Sequence, residues 1–143
     1  MFRRSEILKI TSKGRYGLKA MMELYRADRL LKNREIAEMH NIPVKYLEQI
    51  INTLKKSNLL KSTRGAVGGY ELNRPGSEIT LYEILEALEG DLSIMDKSDK
   101  HWDTRMGLFW SDIDKDIKKI LSITLEDFVK NLERNPDNIM YYI

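Results

Sequence analysis

The 143-residue chain has no cysteine and two histidines, His40 and His101. Most covalent and metal chemistry therefore lacks its usual side chains. Without thiols there is no disulfide, no thiolate zinc site and no cysteine-ligated iron–sulfur cluster. Two isolated imidazoles do not make a metal site by spacing, so no metal and no cofactor is expected. The glycines at 65, 68 and 69 are not followed by the Lys-Ser/Thr pair of a phosphate-binding loop. Asp112, Asp114 and Asp116 are spaced by two, so on a helix they diverge instead of sharing a face. No serine or lysine is set beside a paired base. The pattern argues against an enzyme.

What remains is recognition chemistry, and its charges are unevenly placed. Residues 1–75 carry 16 Lys/Arg against 7 Asp/Glu, and residues 76–143 carry 8 against 15, which yields the net +2. A basic front half suits a polyanionic partner, although basic residues also simply solvate a surface. No apolar run approaches the ~20 residues of a membrane span. The charged start, Met1 to Glu6, lacks the apolar stretch of a secretory signal. A cytoplasmic protein with no membrane role is expected.

Apolar spacing supplies the elements that would position these groups. Leu18, Met21, Met22 and Tyr25 predict a first helix from Ser12 to Leu31. Asn33 suits the N-cap of a short second helix carrying Ile36, Ala37 and Met39. Pro43 suits the first turn of a third helix over 44–57. That helix carries Val44, Leu47, Ile50, Ile51 and Leu54 on one face, and Lys45, Gln49, Asn52, Thr53 and Lys56 on the other. Amides, a hydroxyl and ammonium groups suit base edges and phosphates. A β-ribbon follows, with strands Leu59 to Thr63 and Tyr70 to Asn73. Its tip is Arg64-Gly65-Ala66-Val67-Gly68-Gly69, where three glycines supply positive φ. Two helices around a tight turn followed by such a ribbon predict a mainly α winged helix-turn-helix fold with a small β-wing.

Thr80 and Glu83 form a capping-box pattern opening a helix to Leu88, with Gly90 as its stop. Asp91 to Thr104 reads as a loop. A long helix over 105–121 carries Met106, Phe109, Trp110, Ile113, Ile117, Ile120 and Leu121 along one face. So much apolar surface needs a partner, and a second copy of the chain is the simplest one; packing on its own domain is the alternative. Thr124 caps a last helix bearing Leu125, Phe128, Val129 and Leu132, ended by Asn135-Pro136. The expected divisions are a DNA-binding domain over 9–90, dimerisation helices over 91–134 and a flexible tail over 135–143.

Several stretches resemble the Rrf2 family of bacterial transcription regulators: Thr11-Ser12-Lys13-Gly14-Arg15-Tyr16-Gly17-Leu18, Tyr46-Leu47-Glu48-Gln49, Arg64-Gly65-Ala66-Val67-Gly68-Gly69-Tyr70, Ile79-Thr80 and Leu88-Glu89-Gly90. They occur in order across the first 90 residues. The resemblance implies a dimeric winged helix with a long dimerisation helix. Many members hold an iron–sulfur cluster on three cysteines before that helix; this chain has none there. It is closer to the cysteine-metabolism repressor branch, which also lacks the cluster and ends in a Met-aromatic-Tyr-Ile tail, here Met140-Tyr141-Tyr142-Ile143. The Trp-bearing long helix and Thr124-Leu125-Glu126-Asp127 resemble that branch too.

The resemblance implies a repressor of cysteine and sulfur metabolism genes that binds double-stranded promoter DNA and senses through cysteine synthase. In that reading Lys45, Tyr46, Gln49 and Thr53 contact the major groove. Ser12, Lys13, Arg15 and Tyr16 hold phosphates, and Arg64 and Gly65 bring the wing to the flanking groove. Tyr46 equally suits a core edge, and Lys13 plain surface charge. Phe109, Trp110, Ile113, Ile117 and Ile120 form the dimer interface. The carboxylate of Ile143, with Met140, Tyr141 and Tyr142 beside it, suits a backbone anion site on the partner enzyme; packing of these residues on the dimer is the alternative. Other readings are a small-molecule-sensing regulator of another pathway, and an interaction module without DNA binding. Residues 1–8 have no assigned role.

Overall fold

A computed structural model of the chain describes residues 9–95 and 103–134. Helix α1, Ser12–Arg26, begins at Thr11, whose hydroxyl accepts from the Gly14 N–H at 3.4 Å. Gly14 and Gly17 lie three residues apart on the face that meets α4, Leu81–Glu89. A Cβ at Gly14 would collide with the Glu89 carboxylate, and one at Gly17 with the Leu88 side chain. Close crossing of the two helices is why both positions carry no side chain. Glu89 in turn accepts from the Thr11 N–H at 3.2 Å and its hydroxyl at 2.6 Å.

α1 stops five residues short of the expected Leu31. Ala27 turns extended, and Leu31 forms an antiparallel bridge with Tyr70, its N–H donating to Tyr70 O at 3.1 Å. Leu31 is buried there, so its apolar side chain serves the sheet edge and not a continued helical stripe. The expected Asn33 N-cap also moves. Lys32 is the cap of α2, Asn33–His40, and Glu35 accepts from the Lys32 N–H at 3.1 Å. The Arg29 guanidinium, bonded to both Glu35 oxygens at 3.2 and 2.6 Å, holds that carboxyl below the usual carboxylate range. Asn41, left-handed at φ 53°, closes α2, and Pro43 precedes α3, Val44–Lys56.

α3 buries Leu47, Ile50, Ile51 and Leu54 completely, whereas Val44 is 42% exposed and drops out of the expected stripe. Strands β1, Leu60–Thr63, and β2, Gly69–Leu72, pair antiparallel with Leu60 opposite Leu72 and Thr63 opposite Gly69. With the bridge to Leu31, the ribbon is three segments wide at the Ser62–Tyr70 pair, toward its tip.

After a 3₁₀ turn at Gly76–Glu78, Thr80 caps α4 by accepting from the Glu83 N–H at 3.1 Å. The Glu83 carboxylate bonds Arg74 at the end of the ribbon, so only half of the capping box closes. Gly90, at φ +90°, ends α4.

α5, Thr104–Ile120, has no buried residue; Met106 is 48%, Leu108 63%, Phe109 58% and Ile120 73% exposed. α6, Leu125–Arg134, behaves differently. Thr124 caps it, the Leu125 N–H donates to Ile79 O at 2.7 Å, and Leu125 and Val129 join the same core as Met21, Ile36, Leu47 and Ile84. Arg26 of α1 reaches Glu133 of α6 at 3.1 Å. The core of residues 9–90 therefore continues past α5 into α6. Among the described residues no helix is long and apolar enough to cross a membrane.

Candidate nucleic-acid interface

Three segments meet around the helix-turn-helix. α3 lies with its apolar side in the core, so the 3.6-residue repeat turns Lys45, Glu48, Gln49, Asn52 and Lys56 outward, all exposed. Thr53 is half-buried and donates its hydroxyl to Gln49 O at 3.1 Å, leaving its lone pairs as the outward group.

Tyr46 is half-buried against the core and meets Tyr16 edge-on, with ring centroids 5.9 Å apart and an interplanar angle of 79°. This ring pair couples the start of α1 to the start of α3. Beside it Ser12 and Arg15 are exposed and Lys13 is half-buried; the Arg15 guanidinium reaches Ser12 Oγ at 3.4 Å and lies over the Tyr16 ring. A hydroxyl and two cations thus lie in the first turn of α1, where the helix dipole favours negative charge and the Glu89 carboxylate already bonds Thr11.

The wing tip carries the exposed Arg64, followed by Gly65 at φ +112° with nothing within 4 Å of a Cβ built there. The tip is closed by the Gly68 N–H donating to Gly65 O at 3.0 Å. Only Gly65 and Gly69 among the three tip glycines take positive φ. Gly68 is needed for another reason: a Cβ there would collide with the Thr63 carbonyl.

Two residues at the head of α2 hold these pieces together. Lys32 Nζ donates to Ala66 O in the wing tip at 2.9 Å, and Asn33 Nδ2 donates to Val44 O at the start of α3 at 3.0 Å. Their partners lie 34 and 11 residues away, beyond any helical or strand repeat, so no local spacing signals them. Lys55 of α3 lies over the Tyr70 ring of the wing, 6.0 Å from its centroid. Residues 1–8, His101 and the tail over 135–143, with Met140, Tyr141, Tyr142 and Ile143, lie outside the described residues.

The long helix α5 presents an apolar surface of its own. Phe109 and Ile120 are exposed, and Trp110, Ile113 and Ile117 are half-exposed. Phe109 and Trp110 pack edge to face at 5.1 Å.

The Rrf2 family model, described as an iron-dependent transcriptional regulator, matches residues 10–131. The HTH-type transcriptional regulator CymR of Bacillus subtilis is 35% identical over 139 residues, covering 95% of this chain and 100% of that protein. The regulator IscR of Xenorhabdus nematophila is 32% identical over 134 residues, covering 88% and 82%. Among solved structures, CymR, the global cysteine regulator of B. subtilis, superposes with a TM-score of 0.75 at 36% identity over 87% of this chain and 98% of that one. Thiolate-held iron does not fit this chain, which has no cysteine. Among the described residues no three His, Cys, Asp or Glu side chains gather as a metal site.

Proposed function

The chain belongs to the Rrf2 family of transcription regulators, and from that premise we propose a homodimeric repressor of cysteine and sulfur metabolism genes that reads promoter DNA. Its curated relatives are regulators and not enzymes. One observation supports the DNA-reading site above all: the exposed polar face of α3 is tied to the cation-rich start of α1 through Tyr16–Tyr46, and to the tip of the wing through the head of α2, where Asn33 bonds Val44 and Lys32 bonds Ala66.

In this reading α3 enters the major groove. Lys45 and Gln49 meet base edges directly, Thr53 offers its oxygen, and Tyr46 works from the core edge by fixing the helix against Tyr16. Ser12, Lys13 and Arg15 hold a phosphate at the α1 N-terminus with Tyr16 beneath them, and Arg64 and Gly65 approach the neighbouring groove. Two copies related by a twofold axis place two α3 helices about one DNA turn apart, which calls for a palindromic site. The exposed apolar face of α5, with Phe109, Trp110, Ile113, Ile117 and Ile120, supports pairing through that helix, because burial against a second copy removes it from water. Residues 9–90 together with α6 form the DNA-binding unit, α5 the dimerisation element and 135–143 a docking tail.

The cysteine assignment rests on the regulator CymR. Sensing through cysteine synthase rests on the Met140-Tyr141-Tyr142-Ile143 terminus. Its two tyrosines offer apolar area to a partner surface. The test is a mobility-shift titration with duplexes from cysteine-gene promoters, paired with capture on cysteine synthase of the full chain and of a chain ending at Ile139. Equal capture of both chains removes the tail from the account. Equal affinity for promoter and scrambled duplexes removes DNA reading.

A further inference from the structure

The first turn of α3 carries the groove-facing Lys45 and leads into Gln49; its apolar anchors are the buried Leu47 and the Tyr16–Tyr46 ring contact. Pro43 precedes it without a side-chain cap, and Val44 is 42% exposed and contributes nothing to the core. The polar tie to the rest of the fold is the Asn33 amide, whose Nδ2 donates to Val44 O at 3.0 Å from the first residue of α2. The amide is there for its donor. Its other end, Oδ1, is buried and has no hydrogen-bond partner among the described residues, unlike any other buried side-chain oxygen or nitrogen there. The neighbouring Lys32 holds Ala66 of the wing tip. Adjacent residues at the head of α2 thus grip the reading helix on one side and the wing on the other.

We propose that Asn33 is a positioning residue for DNA recognition: its amide sets the pose of the first turn of α3 relative to the wing, and so governs sequence discrimination without touching DNA. This rests on the DNA-reading role above. The physical reason is that base-edge hydrogen bonds tolerate only small errors in donor placement, while phosphate contacts tolerate larger ones. Loss of the tie therefore loosens readout and leaves charge-driven binding alone.

The experiment uses the full-length dimer and two variants. Asn33→Leu removes both polar ends with similar volume. Asn33→Asp keeps the shape but faces Val44 O with an acceptor. Affinity is measured by fluorescence polarisation, over a series of salt concentrations, for a duplex enriched from a random pool by the wild-type protein and for its scrambled counterpart; circular dichroism reports the folded fraction. The expected result is a selected-to-scrambled affinity ratio lowered by about 2- to 12-fold for each half-site, the worth of one hydrogen bond per protomer, in both variants, with scrambled-duplex affinity and salt slope unchanged. A ratio unchanged in both variants overturns the proposal, as does a fall that merely follows loss of folded protein. A wild-type protein that does not distinguish the two duplexes refutes DNA reading itself, and the positioning role with it.

Discussion

Truncation of Gln49 to alanine tests the proposed base reading apart from everything else the chain does. Gln49 is exposed on α3, and its side chain makes no hydrogen bond among the described residues. Its removal creates no cavity and orphans no partner, so stability should move by less than about 0.5 kcal/mol. A glutamine amide bidentate to an adenine edge is worth about 1–3 kcal/mol of discrimination. A twofold dimer forfeits that pair of bonds in each half-site, about 2 kcal/mol in all at the low end, or roughly 30-fold in affinity for the selected duplex. Scrambled DNA should bind as before, with the same dependence on salt, because no charge has changed. Fluorescence polarisation against both duplexes, with a thermal melt of each protein, reads all three quantities. Equal loss on selected and scrambled DNA would show that Gln49 serves the general surface and would refute its groove role.

Lys13→Ala is the electrostatic counterpart: affinity for every sequence should fall, and the slope of log K against log salt should shrink by about one unit for each phosphate no longer neutralised. An unchanged slope in the same titrations leaves Lys13 as ordinary surface charge. Leu125→Ala empties a fully buried site in α6 and should cost about 2–5 kcal/mol in urea unfolding; a loss under about 1 kcal/mol would mean α6 is peripheral to the winged-helix core. Glutamates at Phe109 and Ile120, which are 58% and 73% exposed, should leave the fold intact and turn the dimer into monomer in sedimentation velocity. A persistent dimer would place the interface elsewhere.

Much of the proposed reading site is legible along the chain because it depends on near neighbours. The α3 face follows from apolar residues at helical spacing, which also sends Lys45 and Gln49 outward. The wing follows from the glycines at its tip, and the Thr80 and Thr124 caps from hydroxyls three residues before the N–H groups they accept from. Errors arise where a residue is claimed by a distant segment. Leu31 continues an apolar pattern after α1, but its backbone pairs with Tyr70. Glu83 has the spacing to complete a capping box, but Arg74 takes its carboxylate.

The sequence by itself determined the element types, the outward chemistry of α3, the absence of thiol chemistry and the family, all set by local periodicity, composition and ordered motifs. The tertiary structure decided how those pieces are joined. It moved α6 into the winged-helix core through Leu125 and Val129, left α5 without a buried residue, and gave Lys32 and Asn33 their grips on the wing and on α3. The division has a physical cause. Helical and strand repeats arise from backbone geometry within a few residues, whereas burial and long-range hydrogen bonds depend on which surfaces meet when the chain closes on itself.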